Sequence, residues 1–181
     1  MSTVALCAKS LTMQFGGLKA VSEFSLDIPK GSIYGLIGPN GAGKTTVFNM
    51  LTGVYCPTFG SVTAFGTEIS ERRPYQITAC GVARTFQNIR LFKDLSVIDN
   101  LMIAMDNDPN RPHYGLAATL FRTQAVVRTE KEQEARARKL LEIFKLDSRR
   151  HVKARNLPYG DQRRLEIARA MATGAKILLL D

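Results

Sequence analysis

Residues 38–45 read Gly38-Pro39-Asn40-Gly41-Ala42-Gly43-Lys44-Thr45, which places three glycines, a lysine and a hydroxyl at the spacing G-x-x-x-x-G-K-[ST]. That combination suits a phosphate chain. Glycine lets the backbone wrap closely around anionic oxygens, and the N–H groups left unpaired at a helix start point at the anion. Lys44 is then placed to reach the β and γ phosphates, and Thr45 to offer its hydroxyl to Mg²⁺. Far downstream, Lys176-Ile177-Leu178-Leu179-Leu180-Asp181 is an apolar run closed by a carboxylate. A buried strand ending in Asp is common by itself. Paired with the glycine-rich loop, Asp181 is the carboxylate expected beside the Thr45 hydroxyl at the metal, acting through water. The two segments together predict a binder of nucleoside triphosphate.

The elements around the loop must hold it. The run Ser32–Ile37 reads as a buried strand entering the loop, and Thr46–Leu51 resumes at helical spacing before Gly53 closes the helix. Upstream, strands are expected over Val4–Ala8 and Phe24–Ile28, with a turn-prone Phe15-Gly16-Gly17 between them. Downstream come a turn over Pro57–Gly60, a strand over Ser61–Phe65, a short helix over Pro74–Cys80 stopped by Gly81, and a strand over Val82–Gln87. Alternating strands and helices indicate an α/β fold. From Ser96 the pattern turns helical. Ser96 and Asp99 sit at capping-box spacing, and Leu101, Met102 and Met105 follow at helical intervals. A loop is expected over Asp106–Pro112, then a long amphipathic helix over Gln124–Leu146 with Glu132–Arg136 and Glu134–Arg138 as i,i+4 pairs. Asp161–Met171 reads as a basic amphipathic helix halted at Thr173-Gly174.

With 181 residues, 45% hydrophobic and 23% charged, the chain can bury a substantial core. No apolar run approaches the roughly 18 residues that cross a bilayer. Cys7, Cys56 and Cys80 are odd in number and lack a C-x-x-C pair, so they read as reduced, packed thiols. The formal charge of +9 comes from scattered Lys and Arg, clustered only over Arg149–Arg155. That cluster reads as a solvated helix-to-loop segment, and nucleic acid is not the expected partner. His113 and His151 lack partners at ligand spacing and read as surface histidines.

The order GPNGAGKTT, ARTFQN, LPYGDQRRLEIARA, ILLLD resembles the ATP-binding cassette (ABC) family over essentially the whole chain. Within it the sequence is most similar to ATPase subunits of branched-chain amino acid importers, through ARTFQNIRLF, VIDNLMIA and PYGDQRRLEIAR. The resemblance implies a P-loop NTPase core with an N-terminal antiparallel β subdomain and a helical subdomain. On that basis residues 1–87 form the nucleotide-binding core, 88–156 the helical subdomain, and 157–181 the signature helix and Walker B strand returning to the core. It implies that Phe15 stacks on adenine and that Gly38, Pro39, Asn40, Gly41, Ala42, Gly43, Lys44, Thr45 and Thr46 hold ATP. Thr45, Gln87 and Asp181 are implied at Mg²⁺, with Gln87 also touching the attacking water and linking the site to the membrane partner. From the residues alone, Phe15 is a turn aromatic and Gln87 a polar strand end. The resemblance further implies a head-to-tail dimer with a second ABC ATPase subunit, expected to be a different chain. Transmembrane permease subunits, and through them a substrate-binding protein, complete the partners, at the cytoplasmic face of the membrane.

Leu157-Pro158-Tyr159-Gly160-Asp161 matches the signature that serves the opposite subunit's γ-phosphate, with two departures. The commonest signature has Ser where Pro158 stands and Gly where Tyr159 stands, so a hydroxyl and backbone freedom are missing. Loss of that donor is expected to weaken the site this signature completes and to make the two dimer sites unequal. Ile89, Leu91 and Phe92 offer an apolar contact for a permease helix, or core packing. The sequence stops at Asp181, just before the family's catalytic glutamate, so it reads as an N-terminal fragment lacking the C-terminal part. Such a piece is expected to bind ATP, hydrolyse it poorly and have low stability alone. Other readings within the fold are a lipid or lipopolysaccharide exporter ATPase, against which Pro158 argues, and a soluble ABC ATPase acting on ribosomes or nucleic acid. A third is a truncated chain that has lost nucleotide binding altogether.

Overall fold

The alternation that begins at Val4 runs further than the sequence pattern suggested. In the computed structural model, which describes residues 4–106, 108 and 123–181, strands β1 (Val4–Phe15) and β2 (Leu18–Pro29) form one long antiparallel hairpin. Strand β3 (Phe59–Ala64) pairs with the other edge of β1, and the two-residue β4 (Thr67–Glu68) pairs with β3, giving the order β2-β1-β3-β4. A bulge carries the core face along β1. Ala8 pairs with Leu26 and Leu11 with Phe24, so β1 spends one residue more than β2, and Ser10 sits there at φ 47°. The extra residue shifts the inside–outside parity, which is why Leu6 and Ala8 are buried and then Leu11, three positions on.

The described residues form two compact units, one of residues 4–84 with Asp181 and one within residues 85–180. In the first unit, helix α1 (Lys44–Leu51) buries Val47, Met50 and Leu51, the i, i+3, i+4 stripe of an amphipathic turn. Gly53, at φ 70°, takes the left-handed turn that ends it. Helix α2 (Pro74–Ala79) starts with proline at its first position, where no N–H is needed, and buries Ile77; strand β5 (Val82–Arg84) follows.

The second unit is helical. Helix α3 (Val97–Met105) starts as expected: the Asp99 N–H donates to Ser96 Oγ (3.2 Å) and the Ser96 N–H donates to Asp99 Oδ2 (3.3 Å). Val97, Leu101 and Met105 of α3 pack with Ala137 and Leu141 of α4 (Gln124–Ile143) and with Leu165, Ala168 and Ala172 of α5 (Tyr159–Ala172). A short strand β6 (Ile177–Leu179) follows; the buried strand expected to run to Asp181 stops two residues short of it, with Ile177 and Leu178 half-buried and Leu180 exposed.

Several expectations are corrected. Ser32–Ile37 is not a strand: the segment is irregular, Ile33 is fully exposed and Ile37 nearly so, and among the described residues no strand pairs with it. Apolar composition favours a strand only when a neighbour supplies the hydrogen bonds. Strand β5 stops at Arg84, not Gln87, because side chains of α5 take the backbone groups of residues 86 and 87 (below). The pairs Glu132–Arg136 and Glu134–Arg138 give way to others. Arg136 reaches Asp108 at 3.0 Å, Arg138 lies 3.6 Å from Asp147, and Glu132 accepts from Arg128. A buried carboxylate attracts a guanidinium more than a solvated neighbour on the same helix does. Helix α4 ends at Ile143 because Lys145 turns left-handed at φ 58°, which carries Leu146 into the core. Cys56 is exposed, while Cys7 and Cys80 are part-buried. The basic cluster is paired: Arg149 with Asp161, Arg150 with Asp147, Arg155 with Asp94. His113 and most of the Asp106–Pro112 loop lie outside the described residues.

Candidate functional site

The glycine-rich loop closes over the start of α1. Gly43 occupies the position before the helix at φ 81°, and a methyl group added there would lie 2.6 Å from the Ala20 carbonyl and 3.0 Å from a Val21 methyl. The loop therefore lies directly on β2 and tolerates only glycine at that point. Its first helical hydrogen bond runs from the Val47 N–H to the Gly43 carbonyl (2.9 Å), so the N–H groups of Lys44, Thr45 and Thr46 have no partner within the helix. Lys44 folds back over the loop and donates to the Gly38 (2.6 Å) and Pro39 (2.7 Å) carbonyls, while the Ala42 N–H donates to Pro39. Asn40, Gly41, Ala42 and Thr45 are exposed. The result is a ring of backbone around a cation at the positive end of a helix, the arrangement that receives phosphate.

Phe15 ends β1, and its exposed ring meets Tyr55 edge-on at 5.4 Å. One face of a half-exposed aromatic is the surface a planar base can stack on.

Asp181 is held by a residue that the sequence reading passed over. Arg84 donates to Asp181 Oδ2 (2.5 Å), to Asn49 Oδ1 on α1 (2.6 Å) and to Thr52 Oγ1 (3.4 Å), with its guanidinium 5.5 Å from the Phe48 ring centre. The carboxylate is thereby tied to the helix that starts at the loop. The signal was present: an arginine inside the otherwise apolar run Val82-Ala83-Arg84 requires a carboxylate or several acceptors once buried.

In the helical unit, Gln87 lies on an irregular segment with its side chain exposed and its backbone held. Arg163 of α5 donates to the Phe86 carbonyl (2.8 Å) and the Gln87 carbonyl (2.5 Å). Glu166, almost fully buried one turn on, accepts the N–H groups of Phe86 and Arg90 (3.3 Å each) and pairs with Arg163 at 3.1 Å. The Tyr159 hydroxyl, and after it Glu166, hold the Arg163 guanidinium more firmly protonated than usual. Burial pushes the Arg169 guanidinium the other way, partly offset by Glu166; it lies over the Phe92 ring at 5.5 Å. Beyond the segment, buried Asn100 donates to the Phe92 carbonyl (3.1 Å) and accepts the Phe92 N–H (2.9 Å).

The signature residues start α5. Leu157 is buried, Pro158 caps the helix at φ −54°, and Tyr159, Gly160 and Asp161 form its first turn, two residues earlier than the sequence pattern placed the start. Asp161 accepts from Arg149 (2.6 Å) and Arg164 (3.2 Å), so the carboxylate beside the helix N-terminus is charge-compensated. Phe15, the loop, Lys44, Thr45 and Asp181 thus belong to one unit, and Gln87 and Leu157–Asp161 to the other. Among the described residues no group of three or more His, Cys, Asp or Glu forms a metal cluster.

A glycine-rich loop at a helix start, a short strand with Asp181 two residues beyond its end, and a glycine-containing turn opening a second helix are the elements expected of an ATP-binding, ATP-hydrolysing cassette. The chain belongs to the ABC transporter family, whose model matches residues 21–181. It is 46% identical over all 181 residues to the high-affinity branched-chain amino acid transport ATP-binding protein LivG of Salmonella typhimurium. To BraF, the corresponding protein of Pseudomonas aeruginosa, it is 45% identical over the same span; in both cases it covers 70% of the relative's length. Among solved structures it is similar to the ADP conformation of MJ1267, an ATP-binding cassette of an ABC transporter. That likeness has a TM-score of 0.79 and 31% identity, covering 97% of this chain and 67% of that one. No helix among the described residues is long and apolar enough to cross a membrane.

Proposed function

We propose that this chain is the ATP-binding and ATP-hydrolysing part of an importer for branched-chain or similar amino acids, driving a membrane permease from the cytoplasmic face. The observation that carries the nucleotide reading is the loop geometry, with Lys44 on the Gly38 and Pro39 carbonyls above the open start of α1. The names of relatives matched along the whole chain support the transport reading.

In this reading the loop N–H groups and Lys44 receive the β and γ phosphates, Lys44 exchanging two carbonyls for phosphate oxygens, and Phe15 stacks on adenine. Thr45 and Asp181 supply hard oxygen donors, a hydroxyl and a carboxylate, which fit Mg²⁺. The ion, when bound, neutralises charge on the transferring phosphoryl group. Gln87 orients water at that centre. Leu157–Asp161 present the start of α5 to the nucleotide of a second ATPase subunit, expected to be a different chain. Pro158 brings no hydroxyl to that contact, so the site completed by this signature is the weaker of the pair.

Calorimetric titration with Mg·ADP and with a non-hydrolysable ATP analogue tests the reading. Lys44→Ala should cost at least tenfold in affinity, about 1.4 kcal/mol. Equal affinity in the variant, or no binding by the parent chain, would refute it.

A further inference from the structure

Arg163 is the most heavily engaged side chain around the Gln87 segment. Its Nε donates to the Tyr159 hydroxyl (3.2 Å), one terminal nitrogen donates to the Phe86 carbonyl and to Glu166, and the other donates to the Gln87 carbonyl. Tyr159, Arg163 and Glu166 stand four and three residues apart and so share one face of α5. Glu166 answers from the same face by accepting the N–H groups on either side of Gln87, those of Phe86 and Arg90. Two backbone donors (Phe86, Arg90) and two backbone acceptors (Phe86, Gln87) around Gln87 are therefore taken by side chains of the signature helix. The Gln87 side chain stays exposed.

We propose that Arg163 and Glu166 form a latch through which the Gln87 segment and the signature residue Tyr159 respond to nucleotide as one body, with Arg163 a positioning residue for Gln87. The guanidinium fork is what permits this. It is planar and donates in fixed directions, so a displacement of the Phe86–Gln87 backbone is passed to the Tyr159 hydroxyl one turn nearer the start of α5. A lysine is a point charge on a flexible stem and holds one such acceptor at a time. Glu166 makes the latch two-sided and is itself satisfied by it, since a carboxylate buried this deeply without partners is strongly unfavourable. Tyr159, at a position where the commonest signature carries glycine, gives the fork something to hold.

The inference rests on the reading that Gln87 meets the nucleotide. Hydrogen exchange followed by mass spectrometry on the chain, with and without Mg·ADP or a non-hydrolysable ATP analogue, tests it alongside calorimetric affinity. In the parent chain, nucleotide should slow exchange of the amides of residues 159–166 by at least about fivefold, the lower end of ordinary coupling between sites. Arg163→Ala should keep nucleotide affinity within about twofold while the response of those amides falls below about twofold. Should Arg163→Ala not fold, Arg163→Lys, which keeps charge and stem, carries the same expectation. A full response in either variant overturns the latch, as does a tenfold loss of affinity, which would make Arg163 part of binding instead of transmission. Binding without any response of residues 159–166 in the parent chain overturns this inference alone. Absence of binding in the parent chain overturns the nucleotide reading and the latch with it.

Discussion

Three glycines of one segment give a graded test of the loop geometry. Gly35 has φ outside the left-handed region and open space around an added methyl group. Gly41 has φ 85° and equally open surroundings, and Gly43 has φ 81° with the Ala20 carbonyl 2.6 Å from the added carbon. Alanine at 35 therefore costs nothing in the folded state and removes freedom from the unfolded chain, a stabilisation of about 0.4–1 kcal/mol. At 41 it must adopt a left-handed backbone, costing about 1–2 kcal/mol. At 43 the collision with β2 backbone adds an overpacking penalty, taking the total to about 2–5 kcal/mol. For a chain of this size, melting should fall by about 2–8 °C in Gly41→Ala and about 4–20 °C in Gly43→Ala, and hold or rise slightly in Gly35→Ala. If the loop yields before the fold does, Gly43→Ala should lose at least about tenfold in nucleotide affinity, since each 1.4 kcal/mol of loop strain released by leaving the binding geometry is one decade. Thermal melts by circular dichroism and nucleotide titration read both quantities. Equal effects at 41 and 43, or a larger one at 35, would show that the loop does not lie against β2 as described.

Three further outcomes are expected. Leu101→Ala, at a fully buried position of the helical core, should cost about 2–5 kcal/mol in urea titration, and a loss under about 1 kcal/mol would mean that the cluster collapses to fill the space. Arg84→Ala should cost about 3 kcal/mol, the low end for a broken buried pair because Asp181 keeps some solvent contact, with Arg84→Lys between it and the parent; an unchanged urea midpoint would refute the clamp. Cys7 should alkylate more slowly than exposed Cys56 at pH 8, because the hydrogen bond with its cross-strand neighbour Asp27, then burial, hold the thiol protonated above its ordinary range. A raised folded-state pKa means that this contribution to stability is complete below the unfolded value and is lost as pH climbs past about 9, so the labelling gap should narrow there; Cys7 labelling first would contradict the geometry.

The geometry of the glycine-rich loop was legible in the sequence because it depends on residue type at fixed short spacing. The left-handed Gly43 and the Lys44 that folds back on the loop carbonyls lie within a single turn, and no distant partner is needed to specify them. The Ser96–Asp99 cap and the α1 stripe of Val47, Met50 and Leu51 were readable for the same reason. What the sequence could not decide is everything that depends on which distant groups compete for a partner. Ser32–Ile37 has the composition of a strand, but strand formation needs a neighbouring ladder, and none is paired with it among the described residues. Glu132 and Arg136 have helix-pair spacing, but Asp108, 28 residues away in sequence, is the better electrostatic partner for that arginine. Arg84, Arg163 and Glu166 looked like ordinary members of a strand and a basic helix. Only the tertiary fold, by setting Arg84 beside Asp181 and Arg163 and Glu166 against the backbone of Phe86 and Gln87, gave those charges their partners.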